Sequence, residues 1–101
     1  MTFKEWLKYA VKNRISNGFI QLFPELKLND GTELSVQASE FHMCYPKEKL
    51  EDGEYENVEV YTHGEQVEGL YGMYETSPYT YGYVDVEVME DICKLHGGIR
   101  Q

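Results

Sequence analysis

The sequence predicts an α+β fold: a small antiparallel sheet of three to five strands, with an N-terminal and a C-terminal helix packed on one face. Three observations predict it. Apolar residues recur at helical spacing at both ends of the chain, two stretches between them alternate with period two, and an Asp-Gly turn joins two short apolar runs. The order helix, hairpin, strand, strand, helix segregates the helices from the strands, which is the α+β arrangement. At 101 residues a single domain, 1–101, is expected, with an N-terminal helical segment (1–17) as an addition to a 19–99 core.

Residues 2–14 read as an amphipathic helix. Phe3, Trp6, Leu7, Ala10, Val11 and Ile15 form one apolar stripe, and Thr2 with Glu5 fits a capping box. Asn17-Gly18 is the expected stop, because glycine reaches the left-handed conformation cheaply. Lys4, Lys8 and Lys12 follow at four-residue spacing on the polar side and, with Arg14, make either a solvated face or a contact for the acidic half of the chain. Phe19 to Phe23 is a short apolar run interrupted by Pro24, which fits an edge strand or a loop. Glu25 to Leu28 and Leu34 to Ala38 then form a hairpin about Asn29-Asp30-Gly31, with Leu26 and Leu28 sharing one face and Leu34, Val36 and Ala38 another, the core side.

Residues 39–52 have no clean period and contain Pro46, so a long loop is expected. Residues 57–62 alternate as a half-buried strand, with Val58 and Val60 opposite Glu59 and Tyr61. The glycine-punctuated stretch 63–77 reads as a short helical turn or an irregular excursion. Residues 79–84 form the next strand, with Tyr79, Tyr81 and Tyr83 on one face and some of them toward the core. Asp85 is the expected cap of the last helix, whose stripe is Val88, Ile92 and Leu95 with Met89 and His96 flanking. Glu87 and Lys94 complement the helix dipole, and Gly97-Gly98 ends it.

Charge is distributed unevenly. No lysine or arginine lies between Lys49 and Lys94, while residues 50–93 carry twelve of the eighteen acids and seven of the nine tyrosines; the formal net charge is −9. Binding a nucleic acid backbone directly needs clustered Lys and Arg, so that class is excluded for most of the chain. A basic partner protein is the natural complement, because opposite fields steer encounter. Two cysteines, Cys44 and Cys93, are too few for a secreted disulfide scaffold. With no stretch apolar enough for a leader or a membrane span, the expectation is a cytoplasmic protein with reduced thiols and no membrane partner.

Two segments look familiar. Ser35-Val36-Gln37-Ala38-Ser39 with His42-Met43-Cys44-Tyr45-Pro46 is one; Tyr81-Gly82-Tyr83-Val84 with Val86-Glu87-Val88 and His96-Gly97-Gly98-Ile99 is the other. Together they resemble a group of small proteins encoded by phages and mobile elements of Firmicutes. The resemblance spans roughly residues 26–99, leaving the N-terminal helix outside. It implies no activity and no site residues. It does imply a setting, a bacterial host cell. Small acidic phage proteins there are often inhibitors that occupy a host protein's nucleic-acid site, as many anti-CRISPR proteins do, an analogy of composition and context rather than fold.

The acidic half is accordingly expected to mimic a phosphate backbone and dock on a basic, nucleic-acid-binding host protein, a nuclease or nucleoprotein complex. The contact residues expected are Glu54, Glu56, Glu59, Tyr61, Glu65, Glu68, Tyr74 and Glu75, with Asp85 and Glu87 set aside as helix-start residues. The alternative is a metal-binding or thiol-dependent module built from His42-x-Cys44 and Cys93-x-x-His96, residue types suited to zinc. No nucleophile elbow or phosphate-binding glycine loop is present, so a non-enzymatic protein without a cofactor is expected. Monomer and homodimer are both compatible with the sequence, a dimer forming through an exposed strand edge such as that of residues 79–83.

Overall fold

The computed structural model describes residues 1–101 and shows two helices, a five-stranded antiparallel sheet and a two-stranded ribbon. The first helix, α1 (Phe3–Lys12), opens with the expected capping box. The Thr2 hydroxyl accepts from the Glu5 N–H at 3.1 Å, and the Thr2 N–H donates to Glu5 Oε1 at 2.7 Å. Phe3, Trp6, Leu7, Ala10 and Val11 are buried, so the apolar stripe is the core face. The helix ends earlier than its periodicity suggests. Asn13 donates through Nδ2 to the Tyr9 carbonyl at 2.7 Å, a local bond that competes with another helical turn.

Ile15 therefore leaves the stripe. It is exposed in β1 (Ile15–Asn17), which pairs with β2 (Ile20–Leu22) as a separate ribbon. Asn17-Gly18 is the entrance to that hairpin rather than a helix stop. Gly18, at φ +67, takes the first central position of the two-residue turn, which requires a positive φ, and Phe19 stands fully exposed at the tip. Arg14 also departs from the polar helix face. Its guanidinium turns inward, with Cζ 5.1 Å from the Phe23 ring centroid and Nη2 donating to the Leu50 carbonyl and the Tyr55 hydroxyl.

The main sheet contains β3 (Leu26–Lys27), β4 (Glu33–Gln37), β5 (Asn57–Tyr61), β6 (Glu75–Ser77) and β7 (Thr80–Asp85), in the order β3-β4-β5-β7-β6. The β3–β4 hairpin forms as expected, Leu26 opposite Leu34, although only Gly31 of its turn has a positive φ. Leu26, Leu28, Leu34, Val36, Val58, Val60 and Val84 are completely or almost completely buried and meet both helices in one cluster of 23 buried residues. Residues 39–52 form the expected loop. The buried Tyr55 organises it: its hydroxyl donates to the Glu48 carbonyl at 2.6 Å and accepts from the Leu50 N–H at 2.8 Å.

Three expectations for the second half are corrected. Residues 75–77 form a strand, missed because Glu75-Thr76-Ser77 is a short polar edge without apolar alternation. The strand 79–83 is not an edge: β7 lies between β5 and β6. Its tyrosines do not share one face either. Tyr79 belongs to the β6–β7 turn, and a bulge sets Gly82 and Tyr83 against Glu59, so that Tyr81 packs against the core while Tyr79 and Tyr83 are exposed.

The last helix, α2 (Val86–Leu95), buries Val86, Met89, Ile92 and Cys93, not Leu95, which is 52% exposed. Asp85 occupies the N-cap but makes no capping hydrogen bond with its side chain. The two glycines end the helix as expected. The Gly98 N–H reaches the Cys93 carbonyl and the Gly97 N–H the Lys94 carbonyl, the two bonds of a Schellman motif. No helix is long and apolar enough to cross a membrane.

Gly53 shows how closely the loop packs on α1. It has φ +73, and a Cβ there would lie 3.3 Å from the Leu7 carbonyl and the Lys8 nitrogen. Gly64, at φ +85, would meet nothing within 4 Å. Gly64→Ala is expected to cost about 1 kcal/mol, the left-handed strain alone. Gly53→Ala should cost about 2–3 kcal/mol because α1 must also shift. Urea denaturation measures both, and equal losses would contradict this packing.

Candidate functional site

The acids of residues 50–93 are on the surface. Ten of the twelve are exposed, Glu59 and Glu90 being half-buried. Only Glu54 finds a cation within ion-pairing distance, Lys8 at 4.0 Å, with both side chains well exposed. This is the one ion pair between the lysines of α1 and the acidic half, and its exposure makes it weak. Lys4 contributes its backbone instead, its N–H donating to Glu90 Oε1 at 3.2 Å and so meeting a free donor of the first helical turn.

The expected contact residues fall into separate groups. Glu54 and Glu56 share a shallow cleft of about 320 Å³ with Lys4, Asp85 and Glu87 at the start of α2. Asp85 and Glu87, set aside in the sequence as helix-start residues, are thus exposed members of this acidic group. Glu59 is partly withdrawn, accepting from the Met43 N–H at 3.2 Å. Tyr61 is exposed with its ring edge-on to His63 at 5.0 Å, and His63 itself bridges both oxygens of Glu25 at 2.8 and 3.0 Å. Tyr74 stacks on Tyr83, centroids 6.4 Å apart and rings inclined by 15°. Glu65 lines a polar cleft of about 450 Å³ with Asp30, Thr32, Thr62, His63 and His96.

Glu75 belongs to the most distinctive group. With Tyr71, Tyr79 and Tyr81 it lines an open cleft beside the sheet-edge strand β6. Glu75 Oε2 accepts from the Tyr79 N–H at 3.0 Å. Tyr79 follows Pro78 in the tight turn and has φ +65, a conformation that costs a bulky residue about 1–2 kcal/mol. Sequence reading missed Tyr71, Tyr79 and Tyr81 as site residues because it placed residue 79 inside a strand. The signal was Pro78: proline in the second position of a turn is commonly followed by a positive φ in the third.

The four residues of the metal or thiol alternative are not brought together. No three His, Cys, Asp or Glu side chains converge to hold a metal ion. His42 Nδ1 meets the Ser39 hydroxyl at 2.7 Å, and burial lowers the pKa of the imidazole. The Cys44 thiol is buried and points to the Ser39 carbonyl at 3.3 Å, with burial raising its pKa. Cys93 is buried under α2, its thiol pushed up to about 12 by desolvation. Neither thiol has the low pKa of a nucleophile.

His96 is committed elsewhere. Its Nε2 donates to the Glu68 carbonyl at 2.9 Å, and its Nδ1 lies 2.6 Å from Asp30 Oδ2. A carbonyl only accepts, so Nε2 must carry a hydrogen; a carboxylate beside Nδ1 then favours a second hydrogen there. Burial pulls the His96 pKa down, but the bonds to Glu68 and Asp30 and their negative charge outweigh it and raise it above the ordinary value. Asp30 is held down to about 2, chiefly by the Thr32 backbone and side chain and then by His96. No family model, curated protein or solved structure matches this chain.

The His96–Asp30 pair sets a pH dependence. The imidazole pKa is raised on folding, so its stabilisation is complete below the unfolded value and is lost as pH rises through the folded one. The Asp30 contribution is present above its unfolded value and fades only as pH falls toward about 2. The His96 contribution to the urea midpoint is therefore expected to fall as pH rises above the ordinary imidazole value of about 6.5, and the gap between the parent and Asp30→Asn to narrow over the same rise. In that variant the His96 ring resonances should titrate at lower pH. Titration of the parent His96 at or below the ordinary value of about 6.5 would contradict the assignment.

Proposed function

We propose that this protein is a non-enzymatic binding module that covers a basic, nucleic-acid-binding surface of a partner protein and so inhibits it. One observation carries the reading: ten exposed carboxylates in a stretch without a lysine or arginine, eleven of the twelve acids there lacking an ion-pair partner. Such groups are free to take the arginine and lysine contacts that phosphates would otherwise occupy. Tyr61, Tyr71, Tyr74, Tyr79 and Tyr83, all exposed among these acids, add rigid contact area at low entropic cost. The resemblance to phage-encoded proteins favours a nuclease or nucleoprotein complex of a bacterial host as the partner, with inhibition of the anti-CRISPR or another anti-defence type as the outcome.

The electrostatic character is measurable. Affinity for a basic partner captured from a bacterial lysate is expected to fall at least about tenfold between roughly 50 and 200 mM salt. Nucleic acid added to the complex should compete with the protein for the partner. A complex indifferent to both salt and nucleic acid would rule out this mode of action.

A further inference from the structure

We propose that the cleft lined by Tyr71, Tyr79, Tyr81 and Glu75 beside β6 is a seat for an arginine side chain of the partner. The inference deepens the reading of the acidic face and rests on it. The cavity is open, with a volume of about 490 Å³; Gln66, Ser77 and Pro78 complete its lining, and no cationic side chain is among them. Three phenol rings and one carboxylate are the groups that recognise a cation: the rings through their negative faces, the carboxylate through charge.

The carboxylate is already oriented. Glu75 Oε2 accepts from the Tyr79 backbone, which leaves Oε1 for an incoming donor. The four side chains are mutually close enough that Glu75, Tyr71 and Tyr79, after burial, each help to hold the Tyr81 phenol protonated. Tyr79 also keeps its side chain at a left-handed turn position where glycine or asparagine would fit without penalty. The ring stays at a conformational cost, and 37% of the residue is left open to an incoming group.

Chemistry favours a guanidinium over an ammonium ion. A guanidinium is planar, weakly hydrated and able to stack on a phenol while its edge donates to a carboxylate; an ammonium is compact and strongly hydrated. Charge complementarity makes the arginine a partner's: residues 50–93 contain no arginine, and the chain as a whole carries −9.

The test is a titration of isotopically labelled protein, followed by amide resonances, with blocked tripeptides carrying arginine, lysine or uncharged citrulline. Arginine is expected to move the signals of Gln66, Tyr71, Glu75, Ser77 and Tyr79, with lysine weaker and citrulline without effect. Tyr79→Gly suits the turn and should keep the thermal midpoint at or above that of the parent, yet bind arginine about fivefold more weakly. Glu75→Gln, nearly isosteric, should weaken binding by a similar factor. Arginine shifts confined to Glu54, Glu56, Asp85 and Glu87, or affinities unchanged in both variants, would overturn the cleft and leave the acidic-face reading standing. No response to either cationic peptide anywhere on the protein would overturn both.

Discussion

The double hydrogen bond of His96 is the contact on which the arrangement of the second half depends. One ring at the end of α2 takes a carboxylate from the β3–β4 loop and a backbone carbonyl from the excursion after β5. The first link is reinforced by backbone, since the Asp30 N–H donates to the His96 carbonyl and the Asn29 N–H to the Gly98 carbonyl. The excursion has no such ladder. Buried Val67 and Leu70 hold it down, Gly69 lets it approach Ile92, and His96 fixes its Glu68 carbonyl. A segment with few backbone bonds of its own thereby gains a defined path, and that path carries Tyr71 and Tyr74 to the surface.

Little of the negative charge is used to hold the fold together. Stability comes from the apolar cluster between sheet and helices, and carboxylates left in water cost the folded state little because solvent and salt screen them. Where carboxylates do act structurally each makes a specific hydrogen bond: Glu5 in the capping box, Glu90 at the start of α1, Asp30 on His96, Glu25 on His63, and Glu59 and Glu75 on the backbone of Met43 and Tyr79. The inward cation, Arg14, serves the interior, stacked on Phe23 and bonded to the loop. The fold thus separates a conventional core from a face whose charge is left unbalanced.

The elements with a strong period were legible in the sequence. Leu34, Val36, Val58 and Val60 fall on the buried face because two-residue alternation leaves no other choice once one side must meet the helices. The capping box and the paired glycines were legible because each satisfies a known set of free backbone groups. What failed was set by local side-chain competition or by strand pairing that the pattern does not encode. Ile15 has the right spacing for the helix stripe, but Asn13 ends the helix first. The polar β6 exists only because β7 offers it an edge, and the bulge at Gly82 and Tyr83 breaks the face that simple alternation assigns to the tyrosines. Of the candidate contacts, the acids from Glu54 to Glu75 were readable as a charge pattern. Their division among three clefts was not, because sequence order does not say that Tyr71 and Tyr81 line the same space as Glu75.

Trp6 is the chain's sole tryptophan, and it sits under α1, stacked at 5.6 Å on Phe3 and edge-on to Phe23. Tyr61, Tyr71, Tyr74, Tyr79 and Tyr83 lie elsewhere and are exposed, whereas Tyr55 is buried beside Phe23. Indole fluorescence therefore reports the integrity of the hydrophobic interior, with no second tryptophan on the outer face to obscure it. Loss of structure can thus be followed through one buried indole, separately from occupation of the tyrosine-bearing surface.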